Sequence, residues 1–246
     1  MNGIAEAFRA LYDATGINFS VLYDLHDRAQ WVAGIGMTIK LVILTVVPSL
    51  VLGLAGAILC RSGNWLVRLL NQIYVQVFRN TPPLAQIYLF YFAISPIFQT
   101  LHADGVNRPN LSSMTWAVIS LSLLQGAFTI EILRAGLLAV PKELRDASDA
   151  LGISRVAYFL VTELPLAIRI SLPALQSNVV NSIKTTSLAY AIGVPEMFYA
   201  ANQIWSDKSN VAEMMVTYLI CNAVLVGAVS LIFKYAEARM RVPGHD

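Results

Sequence analysis

Charge is scarce in this chain. Asp, Glu, Lys and Arg make up 13% of its 246 residues, where a soluble domain carries about 25%. The net charge of +2 is scattered, and no run of Lys or Arg lies beside interleaved aromatics, so nucleic acid is excluded as a partner. Cysteine is almost absent. Cys60 and Cys221 stand far apart, inside or at the end of apolar stretches, which gives neither a zinc spacing nor a disulfide framework and leaves packing as their role. His26, His102 and His245 fall in polar stretches without a convergent Ser, His and Asp set or a metal spacing, so a membrane enzyme has no support. A phosphate-binding Gly-x-x-x-x-Gly-Lys run is also missing, which assigns any nucleotide hydrolysis to another chain. Residues 1–30 mix Glu6, Asp13, Asp24, Arg9 and Arg28 with short apolar stretches. They lack the basic start and apolar core of a signal peptide, so the first spanning segment is expected to act as its own insertion signal.

What the chain does have is apolar length, with 57% hydrophobic residues. A helix needs about 20 mostly apolar residues to cross the hydrocarbon layer. Five segments meet this test: 31–60, 81–98, 113–133, 167–194 and 211–235. The fourth is the least apolar, interrupted by Asn178, Asn181, Ser182, Lys184, Thr185, Thr186 and Ser187. Within 61–80, Leu66, Leu69, Leu70, Ile73 and Val77 recur at helical spacing against Arg68, Asn71, Gln72 and Gln76, which predicts an amphipathic helix.

Basic residues collect on the cytoplasmic side of a membrane protein. Arg61, Arg68, Arg79, Arg134, Lys142, Arg145, Arg155, Arg169, Lys234, Arg239 and Arg241 fall on one side and Arg9, Arg28, Arg108 and Lys208 on the other, eleven against four. Lys40 and Lys184 lie within spans. The N-terminus is then periplasmic and the C-terminus cytoplasmic, as an odd number of spans requires. The expected organisation is an all-α membrane protein: a periplasmic segment at 1–30 and a five-span domain at 31–246, with a cytoplasmic loop at about 135–166.

That loop holds Lys142, Glu143, Arg145, Asp146, Asp149, Arg155 and Glu163. Pro141 suits a first helical turn, Gly152 a helix C-terminus, and Ser154 can cap the next helix, so a short helix, a Gly turn and a second amphipathic helix are expected. A solvated connector between spans would look similar.

The residues themselves point further. Asp146-Ala147-Ser148-Asp149-Ala150-Leu151-Gly152-Ile153 resembles the EAA loop of ABC-transporter permeases, a Glu-Ala-Ala triplet followed by a Gly and a hydrophobic residue. Asp146 replaces the usual Glu and Ser148 the second Ala. Phe78-Arg79-Asn80-Thr81-Pro82-Pro83-Leu84-Ala85-Gln86 is similar to the Arg-Asn-Thr-Pro-Leu stretch of the polar amino acid permeases, the histidine, glutamine, glutamate, arginine and opine group, with Pro83 for the commoner Leu. Gly126-Ala127-Phe128-Thr129-Ile130-Glu131-Ile132-Leu133-Arg134-Ala135-Gly136, Leu164-Pro165 and Lys184-Thr185-Thr186-Ser187-Leu188 match that group's patterns in the same order.

The resemblance implies the five-span permease of a type I ABC importer. Two permeases, identical or related, pack about a central path over two ATPase subunits, and a periplasmic binding protein delivers the polar amino acid. It implies no cofactor on this chain, with ATP and Mg on the partner ATPases, and it implies that residues Lys142 to Ser154 dock there.

An ionisable side chain at mid-bilayer costs at least about 2.5 kcal/mol, so it faces protein, a partner or a wet path. Glu131 and Arg134 stand three apart and can pair, as a structural pair or as part of the path. Lys184, with Asn178, Asn181, Thr185 and Ser187, gives the fourth span a polar stripe that could line a path or hold two permeases together through interhelical hydrogen bonds. Asn80, Thr81, Pro82 and Pro83 interrupt the start of the second span, read first as a structural helix break and second as a contribution to a gate; Asn80, Thr81 and Gln86 are further candidates for the path. A secondary transporter or channel would also carry such groups, but five spans without an inverted repeat argue against the former.

Overall fold

The computed structural model describes residues 2–101 and 107–240; His102, Arg241 and His245 lie outside them. In chain order the elements are α1 (Asn2–Thr15), α2 (Ser20–Tyr23), α3 (Leu25–Leu59), α4 (Trp65–Asn80), α5 (Pro83–Tyr88), β1 (Gln99–Leu101), β2 (Asn107–Pro109), α6 (Ser113–Leu138), α7 (Lys142–Ala150), α8 (Arg155–Tyr158), α9 (Leu164–Thr186), α10 (Met197–Lys208) and α11 (Val211–Met240). Two π-helical turns, Leu89–Ile94 and Phe159–Glu163, and two 3-10 turns, Ser95–Phe98 and Ser187–Ile192, extend the helices they adjoin.

The all-α expectation needs one amendment. β1 and β2 pair antiparallel, Thr100 opposite Arg108. Thr100 Oγ1 donates to Asn110 Oδ1 at 2.6 Å, and such local side-chain bonds compete with helix.

Helices Leu25–Leu59, Ser113–Leu138, Arg155–Ile192 and Val211–Arg239 are long and apolar enough to cross a membrane, whereas Pro83–Phe98 is a shorter apolar helix. The expected fourth segment therefore starts earlier than residue 167, and the second helix expected in the 135–166 loop is its opening rather than a separate element. Ser154 Oγ accepts the Ala157 N–H at 3.3 Å and starts the run. Pro165 would ordinarily stop it, because proline lacks an N–H and its ring meets the carbonyl four residues back. That carbonyl, of Val161, lies in the π turn Phe159–Glu163, where the wider helix gives the ring room. The same arrangement precedes Pro96, four residues after Phe92 in the turn Leu89–Ile94.

The chain packs as two units, Met1–Thr45, Pro83–Leu121 and Ser182–Gly227 in the first, Val46–Pro82, Ser122–Asn181 and Ala228–Asp246 in the second. The core of the first joins Trp31 of α3, Met197, Ala200, Ala201 and Ile204 of α10, and Met214 of α11. A Cβ on Gly34 would stand 2.8 Å from that of Ala200, so α3 and α10 meet through small residues. Thr38 Oγ1 accepts the Met197 N–H at 2.9 Å. The buried Glu196 carboxyl accepts the N–H groups of Phe198 and Tyr199, each at 2.8 Å, and so caps α10.

The core of the second unit joins Ala57, Leu133, Leu137, Val140, Ala167 and Leu175. A Cβ on Gly53 or Gly56 would overlap the side chains of Thr129 or Ile130, which fixes how closely α3 and α6 approach. The amphipathic helix expected at 61–80 is α4, started by Asn64 Oδ1 accepting the Leu66 N–H at 2.9 Å. Its buried Asn71 donates Nδ2–H to the Gly56 carbonyl at 3.0 Å, and the Tyr74 hydroxyl donates to the Leu123 carbonyl at 2.6 Å. These bonds offset the burial of polar groups and seat α4 on α3 and α6.

Candidate functional site

The short helix expected before Gly152 is α7. Pro141 precedes it at φ −57° and ψ 133°, and Glu143 lies in its first turn, where the helix dipole favours a carboxylate. At the other end the Gly152 N–H donates to Asp149 O and the Ile153 N–H to Ser148 O, both at 3.1 Å, with Gly152 at φ +71°. This is a Schellman closure, and it needs a left-handed residue at that place. Ser154 then caps α8, so two caps separated by a few residues hold the turn.

Lys142, Glu143, Arg145, Asp146, Ala147, Asp149, Ala150, Gly152 and Ser154 are exposed. Apolar side chains are exposed beside them: Leu151 at 77%, with Ile153, Leu144 and Val156. Ser148 is the one buried residue of α7, and its Oγ has no hydrogen-bond partner among the described residues. The helix thus presents small, charged and greasy groups together, a surface suited to close contact with another protein.

Two ionic features lie in the same unit. Arg61 Nη1 meets Glu163 Oε1 at 2.6 Å and its guanidinium lies 5.4 Å from the Phe159 ring centroid, which ties the end of α3 to the π turn. In the sequence Arg61 stands out only as a basic marker and Glu163 only as a loop charge. Their pairing is unreadable there because the two stand about a hundred residues apart.

Glu131 and Arg134 pair as their spacing predicts: Arg134 Nε and Nη2 donate to Oε1 at 3.2 Å and Oε2 at 2.9 Å. Arg79 adds a second cation, 3.5 Å from Glu131 Oε2, its guanidinium 5.3 Å from the Phe128 ring centroid. A cleft of about 370 Å³ opens there, lined by Cys60, Arg68, Asn71, Gln72, Gln76 and Glu131 among others. One carboxylate between two guanidiniums makes a clasp that carries one net positive charge.

The remaining expected path residues divide between the units. In the second, Asn80 Nδ2 donates to Gln76 Oε1 at 2.8 Å and Thr81 Oγ1 to the Val77 carbonyl at 2.6 Å, so both finish α4. Asn181 is exposed on α9. In the first, Gln86 is buried and Lys184 exposed, while the Thr185 and Ser187 hydroxyls donate to the Ser182 and Lys184 carbonyls at 3.0 and 2.7 Å. α5 packs against the Ser187–Ile192 turn, which brings the elements bearing Gln86 and Ser187 together.

Asn178 corrects the polar stripe. Its Nδ2 donates to Thr129 Oγ1 at 3.1 Å and lies 3.4 Å from the Gln125 carbonyl, so it joins α9 to α6 rather than facing outward with Asn181. Sequence reasoning passes over Glu196. Its one signal is a lone carboxylate at a helix start just after a Gly.

The long apolar helices define a multi-pass membrane protein. Residues 49–242 match the family described as binding-protein-dependent transport system inner membrane component, and the chain belongs to that family. It is 30% identical over 211 residues to the glutamine transport system permease protein of Escherichia coli (strain K12), covering 86% of this chain and 93% of that one. It is 32% identical over 209 residues to the octopine transport system permease protein of Rhizobium radiobacter, covering 85% and 81%. A crystal structure of an amino acid ABC transporter with histidines matches the fold with a TM-score of 0.76 at 24% identity, over 94% of this chain and 98% of that chain.

Proposed function

We propose that this chain is the transmembrane permease subunit of a binding-protein-dependent ABC importer that carries polar amino acids into the cytoplasm. The observation that carries this is the family match over residues 49–242, with glutamine and octopine permeases among the relatives. ATP, with Mg, is hydrolysed on two partner ATPase chains. A second permease, identical or related, completes the membrane part, and a periplasmic protein delivers the substrate. The protein resides in the bacterial inner membrane.

Pro83–Phe98, preceded by α4, is read as a fifth crossing beside the four long helices. The eleven-to-four distribution of basic residues supports a reading with residues 1–30 in the periplasm, α7 and the C-terminus in the cytoplasm, and a five-span permease domain at 31–246.

In this orientation the segment from Lys142 to Ser154 docks on the ATPase. The small side chains of Ala147 and Ala150 permit close backbone approach, and exposed Leu151 and Ile153 supply apolar contact. The Glu131 clasp with Arg79 and Arg134 lies toward the cytoplasmic end. Asn80, Thr81 and Asn181 in the second unit, and Gln86, Lys184, Thr185 and Ser187 in the first, are assigned to the substrate's path. An amino acid in transit exchanges water for such amides, hydroxyls and single charges.

Purification of the intact complex from its native membrane tests the assignment. An ATPase chain and a second permease are expected to co-elute with this chain. A chain that purifies alone and conducts small polar solutes without nucleotide would overturn it.

A further inference from the structure

The N-terminal helix α1 lies ahead of the family match and takes no part in the proposed transport path. Ile4, Phe8 and Leu11 recur four and three residues apart on one face, and Glu6, Arg9 and Asp13 occupy the opposite one. α1 folds back on the segment around α2: the rings of Phe8 and Phe19 meet edge to face at 5.9 Å and those of Tyr12 and Tyr23 stack at 6.5 Å. The apolar face is only partly covered, because Ile4 remains 70% exposed. Beside it opens a cleft of about 450 Å³ lined by Gly3, Ile4, Ala5, Val21, Leu22 and Arg28. Its walls are apolar and it holds one guanidinium. Arg28 has no ion pair among the described residues, since the neighbouring Asp24 is bonded to Lys208 at 3.1 Å.

The cleft reaches the start of α3 at Arg28. Leu25, Val32 and Ile39 are exposed at intervals of seven residues, a single stripe on that helix, and Arg28 flanks it one turn in. The stripe begins three residues after Leu22. An amphipathic helix joined to a lipid-facing stripe sits at the membrane surface with its apolar face among the acyl chains, and an arginine at that level reaches the phosphates.

We propose that α1 is an interfacial anchor, and that the cleft between α1 and the start of α3 seats a phospholipid, with acyl contact from Ile4 and Leu22 and phosphate contact from Arg28. The inference needs α3 to span the bilayer and does not depend on what is transported. The anchor fixes where the first span enters the membrane, because only residues 16–24, which include α2, separate α1 from α3.

The test uses the full complex in proteoliposomes, with Cys60→Ala and Cys221→Ala as background. A fluorophore is placed at Ile4→Cys, Leu22→Cys or Asp13→Cys. Quenching by nitroxide-bearing phospholipid is expected to be several-fold stronger at positions 4 and 22 than at 13, with the reverse order for aqueous iodide. Arg28→Gln is expected to weaken lipid quenching at position 4. Equal quenching at all three positions would overturn the proposal. So would protection of position 4 from iodide that arises only when a soluble protein is added. Position 22 carries the same reading if the label at position 4 disturbs α1.

Discussion

The Ile153 N–H reaches back 3.1 Å to the Ser148 carbonyl across the end of α7. That bond forms only while Gly152 stays at φ +71°. Any other L-residue there costs about 1–2 kcal/mol, and a β-branched one more. No neighbour lies within 4 Å of a Cβ built at Gly152, so the effect of a substitution is backbone strain and not a clash. Gly152→Val is expected to leave the complex assembled and hydrolysing ATP while amino acid uptake per ATP falls. Gly152→Ala is expected to be milder. Unchanged uptake per ATP in both would remove α7 from the coupling path.

Arg61 and Glu163 join the end of α3 to the π turn that carries the helix past Pro165. Arg61 is 40% exposed at its side chain, so water screens the pair and its worth is about 1 kcal/mol or less. A double-mutant cycle with Arg61→Met and Glu163→Gln, read by thermal unfolding in detergent, is expected to return a coupling of that size. No coupling would mean that the π turn is held by packing alone.

Asn178 donates to Thr129 within the second unit, and hydrogen bonds between membrane helices are worth roughly 0.6 to 2 kcal/mol. Asn178→Leu is accordingly expected to lower the unfolding temperature and leave the concentration dependence of uptake unchanged. Asn181→Ala is expected to shift the concentration dependence of uptake, since that side chain is exposed. A shift in substrate affinity from Asn178→Leu at unchanged stability would restore it to the path.

Glu196 gives a pH dependence. Burial pushes its carboxyl up to about 7, against the backbone N–H groups of Phe198 and Tyr199 and the Thr38 hydroxyl, which pull it down. The unfolded value is 4.5, so the folded protein holds the proton more tightly. Stability from this group is full at low pH, declines as pH rises from about 4.5 to about 7, and levels off above. Hydrogen exchange in α10, corrected for the intrinsic rate, should quicken over that range. Glu196→Gln should remove the dependence, and an identical pH response in the variant would assign it to another group.

The long helices are readable because an apolar run of spanning length has few other uses, and α4 because its apolar residues keep a helical period. Gly152 and Ser154 mark the end of α7 and the start of α8 by cap chemistry that acts locally. The fourth span's true start is hidden. Pro165 reads as a stop, and nothing in the sequence says that a π turn will relieve it. The Glu131–Arg134 pair follows from a spacing of three, whereas Arg79 reaches Glu131 only because α4 packs on α6. Asn178 and Asn181 look alike on paper, and the direction in which α9 packs decides that one is a strut and the other exposed.

The most direct measurement is amino acid uptake into proteoliposomes containing this chain with its ATPase and its binding protein. Accumulation that requires both ATP and the binding protein is expected, together with loss of uptake at retained ATP hydrolysis in Gly152→Val. Uptake that persists without ATP would contradict the importer assignment.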